Sequence, residues 1–216
     1  MRTLGSGEIL FILAAIRWTL LLSAAAFVGG SIGGMLIALM RSGRIKPLRW
    51  VAFGYIKLFQ GTPLLMQLFL AFFVPGLFGF DVDPWGAAAL GLSLHASAFL
   101  GEIWRGAIET VPRGQWESSA ALGLRYWSQM RLVVLPQAVP IAIPPTVGFL
   151  VQLIKGTSLA SIIGFVELTR AAQVINNAVF QPFTIFGIVG LAYFAVCWPL
   201  SAYSKRMERR LAAATR

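Results

Sequence analysis

Acidic residues are scarce. The 216 residues include eight Asp and Glu against 18 Lys and Arg, and charged residues make up only 12% of the chain. A soluble domain ordinarily carries about twice that share. The one cysteine, Cys197, stands in an apolar run, which excludes a disulfide framework and a thiolate metal site. The one histidine, His95, excludes paired-histidine metal motifs such as His-Glu-x-x-His. No Gly-x-x-x-x-Gly-Lys-[Ser/Thr] loop occurs, so this chain has no phosphate cradle with which to hydrolyse ATP. A net charge of +10 raises nucleic acid as a partner, but the basic residues sit between apolar runs and build no basic domain. No nucleic acid, no metal and no cofactor bound by this chain is expected.

Long uncharged runs are present instead. Hydrophobic residues make up 57% of the chain. Trp18 to Met40, Pro84 to Gly101, Leu132 to Ile154 and Phe183 to Ser204 carry no Asp, Glu, Lys or Arg. A helix needs about 20 apolar residues to cross a bilayer. With Val51 to Val74 as a further span, the reading is an all-α membrane protein of five transmembrane helices. The spans are expected at about 15–40, 51–74, 84–107, 137–156 and 183–204, in one transmembrane domain over 1–216. Gly29, Gly30, Gly33 and Gly34 give overlapping pairs of small residues four apart, a pattern that lets helices approach closely in lipid.

Basic residues cluster in three segments: Arg41, Arg44, Lys46 and Arg49; Arg113, Arg125 and Arg131; and Lys205, Arg206, Arg209 and Arg210. Five spans put these segments on one side, which the positive-inside rule makes cytoplasmic. The N-terminus is then outside and the C-terminus inside. Asp81 and Asp83 fall in an outside loop with no basic residue.

The segment 112–136 carries Arg113, Glu117, Arg125 and Arg131, so it cannot lie in hydrocarbon. Its apolar residues recur at helical spacing, and Gly123 stands where a first short helix stops and turns. The expected form is a helix-Gly-helix hairpin on the membrane surface, with Glu117 near the start of the first helix, where an anion complements the helix dipole. Pro136 marks entry into the next span.

Polar residues also stand inside the spans. Gln67, His95 and Gln152 are costly there without a task. Gly61, Thr62 and Pro63 weaken the second span, and Pro136, Pro140 and Pro144 recur every four residues in the fourth. Carbonyls freed by such a stripe need protein, water or ligand, so the stripe is expected to face a pore. Glu102 and Arg105, three apart on one helical face, are expected to pair.

Four motifs resemble the permease subunits of polar amino-acid ABC importers, the histidine/glutamine permease family. Glu117, Gly123 and Leu135-Pro136 resemble the EAA loop, with Ser118 and Ser119 in place of the usual alanines. Gly61-Thr62-Pro63-Leu64, the stretch Ala98 to Ile108, and Lys155 to Ser161 are similar to further family segments. The family often has an acid where Lys57 stands, an Arg where Gln60 stands, and an acid or amide where Gly156 stands. The resemblance covers roughly 10–210. It implies the type-I importer fold and a bacterial inner-membrane location. It also implies a second permease subunit, ATPase subunits that hold ATP and Mg²⁺, and an extracytoplasmic solute-binding protein. Glu117, Ala120, Gly123, Leu135 and Pro136 are then the ATPase-coupling residues. Gln67, His95, Thr146, Gln152, Thr157 and Ser158 are candidate contacts for a polar amino acid. Gly61, Thr62, Pro63, Pro140 and Pro144 are candidate gate or kink positions. The competing readings, an integral membrane enzyme or a non-transporting helical scaffold, lack a carboxylate partner for His95 in the one case and a use for the intramembrane polar groups in the other.

Overall fold

A computed structural model of the chain describes residues 5–43 and 45–214. Arg44 of the first basic segment lies outside them. The described residues form helices and their connections. They run α1 (Ser6–Ala14), α2 (Ile16–Ser42), α3 (Lys46–Gly61), α4 (Leu64–Leu77), α5 (Pro84–Thr110), α6 (Arg113–Ala121) and α7 (Tyr126–Gln129). A π-turn (Met130–Val134), α8 (Leu135–Gly156), a 3₁₀ turn (Thr157–Ser161), α9 (Leu168–Val179) and α10 (Pro182–Ala214) complete the order.

Among the described residues, four stretches are long and apolar enough to cross a membrane: Ser6–Ser42, Pro84–Thr110, Tyr126–Ser161 and Pro182–Leu211. Helices α3 and α4 make a fifth crossing if counted as one broken span. The first crossing begins earlier than expected. Arg17 does not end it, because the helix continues through Ala15, and Arg17 lies over the neighbouring Trp18 ring at 5.4 Å.

The bundle is centred on the contact between α2 and α5, and the small residues explain it. A methyl group built on Gly30 would stand 2.4 Å from Ala96 Cβ, and one on Gly33 would stand 2.8 Å from Ser97 Cβ. Gly101 of α5 returns the contact, since a Cβ there would meet Ile37 Cγ2 at 2.7 Å. With lipid on the outside, apolar burial offers little drive, and such close backbone approach supplies dispersion contacts instead. Gly29 to Gly33 also spells Gly-x-Ser-x-Gly. It lies inside a helix packed on a helix, not at the strand-to-helix elbow of a serine nucleophile. Around this pair, Leu22 and Ala26 of α2, Leu68 of α4, Leu92 of α5 and Phe149 and Leu153 of α8 form the main apolar core.

The second span departs from a simple kink. The chain bends by 104° between its halves. Pro63 offers no backbone N–H and pushes the residue before it out of the helical region, and Thr62 is accordingly extended at φ −115° and ψ 144°.

The fourth span also differs in detail. The hairpin's second helix is not a separate surface element. It runs through the π-turn into α8 as one 36-residue helical stretch. The proline stripe does not face one environment. Pro136 and Pro140 are exposed, whereas Pro144 is buried against α10, where the Ser204 hydroxyl donates to its carbonyl at 2.8 Å. α8 runs without a break past Pro140, Pro144 and Pro145.

Candidate functional site

Two places carry the chemistry, and one helical stretch joins them. The first lies at the break in the second span. The last carbonyls of α3 have no helical partners there. The Gln67 amide nitrogen takes them up, donating to Phe59 O at 2.7 Å, to Thr62 O at 3.0 Å and to Thr62 Oγ1 at 2.9 Å. Thr62 Oγ1 itself donates to Leu58 O at 2.8 Å. Gln67 is only 7% exposed and so acts as the staple of the break.

Three oxygens around its nitrogen fix which way the Gln67 amide points. Its Oε1 is therefore the atom that meets His95 Nδ1 at 3.0 Å, and Nδ1 must donate. The other ring nitrogen, Nε2, is then a lone-pair acceptor with no hydrogen-bond partner among the described residues. The imidazole lies 4.6 Å from the Phe99 ring, and Phe99 stacks on Phe149 of α8 at 5.3 Å. A cavity of about 570 Å³ opens in the crook of the break, lined by Phe59, Thr62, Pro63, Gln67 and apolar side chains of α4 and α5.

The structure thus brings Gln67 and His95 together with Gly61, Thr62 and Pro63. The other candidate contacts do not join them. The Thr146 hydroxyl accepts from Trp104 Nε1 at 2.9 Å, and Trp104 is nine residues, or ~13 Å, further along α5 than His95. Gln152 is exposed on α8. Thr157 is buried and donates to Ile154 O, and Ser158 donates to Lys155 O, each at 2.7 Å. These hydroxyls close local turns. The aromatic partners were missed from sequence. Phe99 was within reach, being four residues after His95 on the same helical face. Nothing in the sequence pointed to Phe149, which arrives from another helix.

The second place is the hairpin. α6 ends in a paired-bond cap: Leu124 N donates to Ser119 O and Gly123 N to Ala120 O, with Gly123 at φ +78°. This is the turn expected from Gly123. Glu117 is not where it was expected. α6 starts at Arg113, which puts Glu117 in its second turn, so the dipole argument does not hold. Glu117, Ala120, Leu122 and Gly123 are all exposed, Leu122 at 82%. The opposite side of α6 is anchored. Trp116 stacks on Tyr126 at 6.3 Å, and the Tyr126 hydroxyl donates to Ser42 O at 3.0 Å. Leu135 packs into the apolar cluster of Val111, Met130 and Val134 behind the hairpin, and Pro136 is exposed beside it. Sequence reasoning missed the π-turn, whose Val133 carbonyl accepts from the Gln137 amide at 2.7 Å.

Charges pair near the hairpin end of α5. Arg105 Nε donates to Glu102 Oε2 at 2.9 Å, as expected, and its other arm bonds Glu109. Between spans four and five, Glu167 is fully buried and caps α9. Its carboxylate accepts from Thr169 N at 2.9 Å, Arg170 N at 2.8 Å and Tyr193 Oη at 2.9 Å. Burial pushes this carboxyl above the ordinary range, against the opposing pull of those hydrogen bonds. No group of three or more His, Cys, Asp or Glu able to hold a metal occurs among the described residues.

A polar centre inside a helical bundle and an exposed, back-anchored hairpin suit transport, and relatives agree. Residues 30–213 match the family described as binding-protein-dependent transport system inner membrane component. The probable amino-acid ABC transporter permease protein YckA of Bacillus subtilis (strain 168) is 36% identical, covering 94% of this chain and 89% of its own. The L-cystine transport system permease protein TcyB of the same organism is 38% identical, covering 91% of this chain and 84% of its own. A crystal structure of an amino acid ABC transporter with histidines superposes with a TM-score of 0.88 at 31% identity, over 97% of this chain and all of that one. The chain therefore belongs to the binding-protein-dependent transport system inner membrane components, as the multi-pass permease subunit of an ABC importer whose ATP is hydrolysed by a partner ATPase.

Proposed function

We propose that this subunit imports a polar amino acid, neutral or acidic, by alternating access around the Gln67–His95 centre. One observation carries the reading: hairpin and polar centre are two ends of one lever. The helical stretch from Tyr126 to Ser161 starts beside α6 and carries Phe149, which stacks with Phe99 beneath His95. Tyr126 and Phe149 are 23 residues apart, or ~35 Å. Movement of the hairpin by an ATPase would reach the centre through that helix.

The substrate class follows from the groups on offer. His95 Nε2 is an acceptor, which suits the ammonium group common to amino acids. Among the described residues no carboxylate is hydrogen-bonded to the centre, and Glu102 is engaged by Arg105. A cationic side chain would lack a counter-charge. Relatives named for cystine, arginine and glutamine transport support amino acids as the class. A second permease subunit completes the pathway, the three basic segments face the cytoplasm, and the N-terminus lies outside. ATP and its Mg²⁺ sit on the ATPase.

The test is uptake of labelled amino acids into proteoliposomes holding the complete importer and its binding protein. His95→Ala should weaken uptake of the preferred substrate. Unchanged affinity and rate would remove His95 from the site, and a strong preference for arginine or lysine would refute the charge argument. Orientation is read separately in a Cys197→Ser background. A cysteine replacing Leu122 should react only from the cytoplasmic side, and one replacing Phe78 only from outside.

A further inference from the structure

A basic basin stands where α2 ends, α3 begins and α6 begins. Two cavities, of about 460 and 430 Å³, share Arg41 and Arg49 as walls. Lys46, Trp50 and Phe53 complete the first, and Glu109, Arg113 and Trp116 line the second. Four cations thus meet one carboxylate, and Glu109 is already bonded by Arg105. Arg41 Nε is buried without a hydrogen-bond partner, while its guanidinium lies 5.2 Å from the Phe53 ring centre. Trp50 is 71% exposed, with Ile45 and Leu48 exposed beside it.

This combination specifies a ligand with two parts. The cations call for an anion with several acceptor oxygens, since guanidinium and ammonium groups bind phosphate oxygens through charge-assisted hydrogen bonds. The exposed indole and aliphatic side chains call for an apolar chain, and an exposed tryptophan at a basic span end is the usual marker of the headgroup level. A phospholipid supplies both. We propose that the basin holds the phosphate of an anionic phospholipid headgroup, with its acyl chains along Trp50 and Phe53. The choice of inner leaflet rests on the orientation proposed above. Lipid binding itself does not, because a symmetric bilayer offers the same headgroup to either face. Arg113 and Trp116 belong to α6, so a bound headgroup also ties the base of the hairpin to the membrane surface. Anionic lipid should therefore raise ATPase activity in the assembled importer.

The experiment compares the full importer in nanodiscs of phosphatidylcholine alone with nanodiscs that also contain phosphatidylglycerol. Retained phosphatidylglycerol is measured by mass spectrometry and ATP turnover in parallel. The Lys46→Gln/Arg49→Gln variant changes two exposed side chains that pack in no core. Each surface cation contributes about 1 kcal/mol to anionic-lipid attraction, so the pair should weaken retention about 30-fold. Its turnover in phosphatidylcholine alone should match wild type, and its stimulation by phosphatidylglycerol should vanish. Lys205→Gln/Arg209→Gln removes the same charge from the tail and should keep both properties. Wild-type retention in the basin variant, or equal loss in the tail variant, would overturn the proposal. So would stimulation by inorganic phosphate without the lipid, or loss of the ATPase subunit from the basin variant, which would make the basin a protein contact.

Discussion

Gly30 leaves no room for a side chain. A Cβ there would lie 2.4 Å from Ala96 Cβ, and the α5 backbone behind Ala96 stands within 3.3 Å, so nothing flexible can yield. Gly30→Val should separate α2 from α5 and cost more than about 2 kcal/mol, read as little folded protein in the membrane and a lowered melting temperature. Gly187→Ala is the contrast. Nothing lies within 4 Å of a Cβ at Gly187, so it should behave as wild type. Gly123 presents the opposite case, with open space but a φ of +78°. A β-branched residue there is strained by about 1–2 kcal/mol. Gly123→Val should leave the chain in the membrane and reduce co-purification of the ATPase subunit, whereas Gly123→Asn should largely preserve it. Normal uptake and stoichiometry in Gly123→Val would show that the turn has no part in coupling. Gly30 was legible as one of a set of small residues four apart, and Gly123 as a turn. What Gly30 packs against was not, because Ala96 comes from a helix 66 residues further along the chain.

Break and cap are properties of elements. Gly61 and Pro63 announced a weak point in the second span, but not a 104° turn. The angle depends on Gln67, whose amide satisfies the carbonyls that Pro63 frees, and that bond crosses eight residues of chain to Phe59. In sequence Gln67 read as a substrate contact. In the fold it is first a staple and only then a support for His95. Gln67→Leu should loosen the junction by about 1–3 kcal/mol, since Phe59 O and the two oxygens of Thr62 lose their donor. Limited proteolysis or hydrogen exchange localised to residues 58–67 would report it, and unchanged protection there would refute the staple. The α9 cap makes a pH-dependent prediction. Burial raises the Glu167 carboxyl above its ordinary value, so the folded chain holds that proton more tightly than the unfolded one. The stabilisation is complete below the ordinary carboxylate value and is lost as pH rises through the raised one. Melting temperature should therefore fall across that window in wild type and stay flatter in Glu167→Gln. An identical slope in the variant would place the titrating group elsewhere.

Across the whole molecule, the four long uncharged runs fall in the four stretches long and apolar enough to cross a membrane, and the basic residues cluster at their ends and in the segments between them. Those signals survive in sequence because the bilayer imposes them residue by residue. Whether a hairpin and a polar centre communicate was not visible there, because it depends on one helix passing through the π-turn from Tyr126 to Ser161. The expected hairpin of two surface helices hid that continuity. Continuity makes a demand on the assembled importer. If each hairpin is the end of a lever and the proposed second permease subunit is a second copy of this chain, the two must bring their hairpins together and apart in every cycle. Ser118 is exposed on α6, away from the Trp116–Tyr126 anchor, and can take a cysteine in a Cys197→Ser background. A short cross-link between two such cysteines, formed in the ATP-bound state, should stop uptake while binding protein and ATP still bind. A long flexible cross-link at the same position should restore most of the rate, because it permits separation. Uptake at the unlinked rate with the short link in place would mean that the hairpins do not move apart, and the lever reading would fall with them.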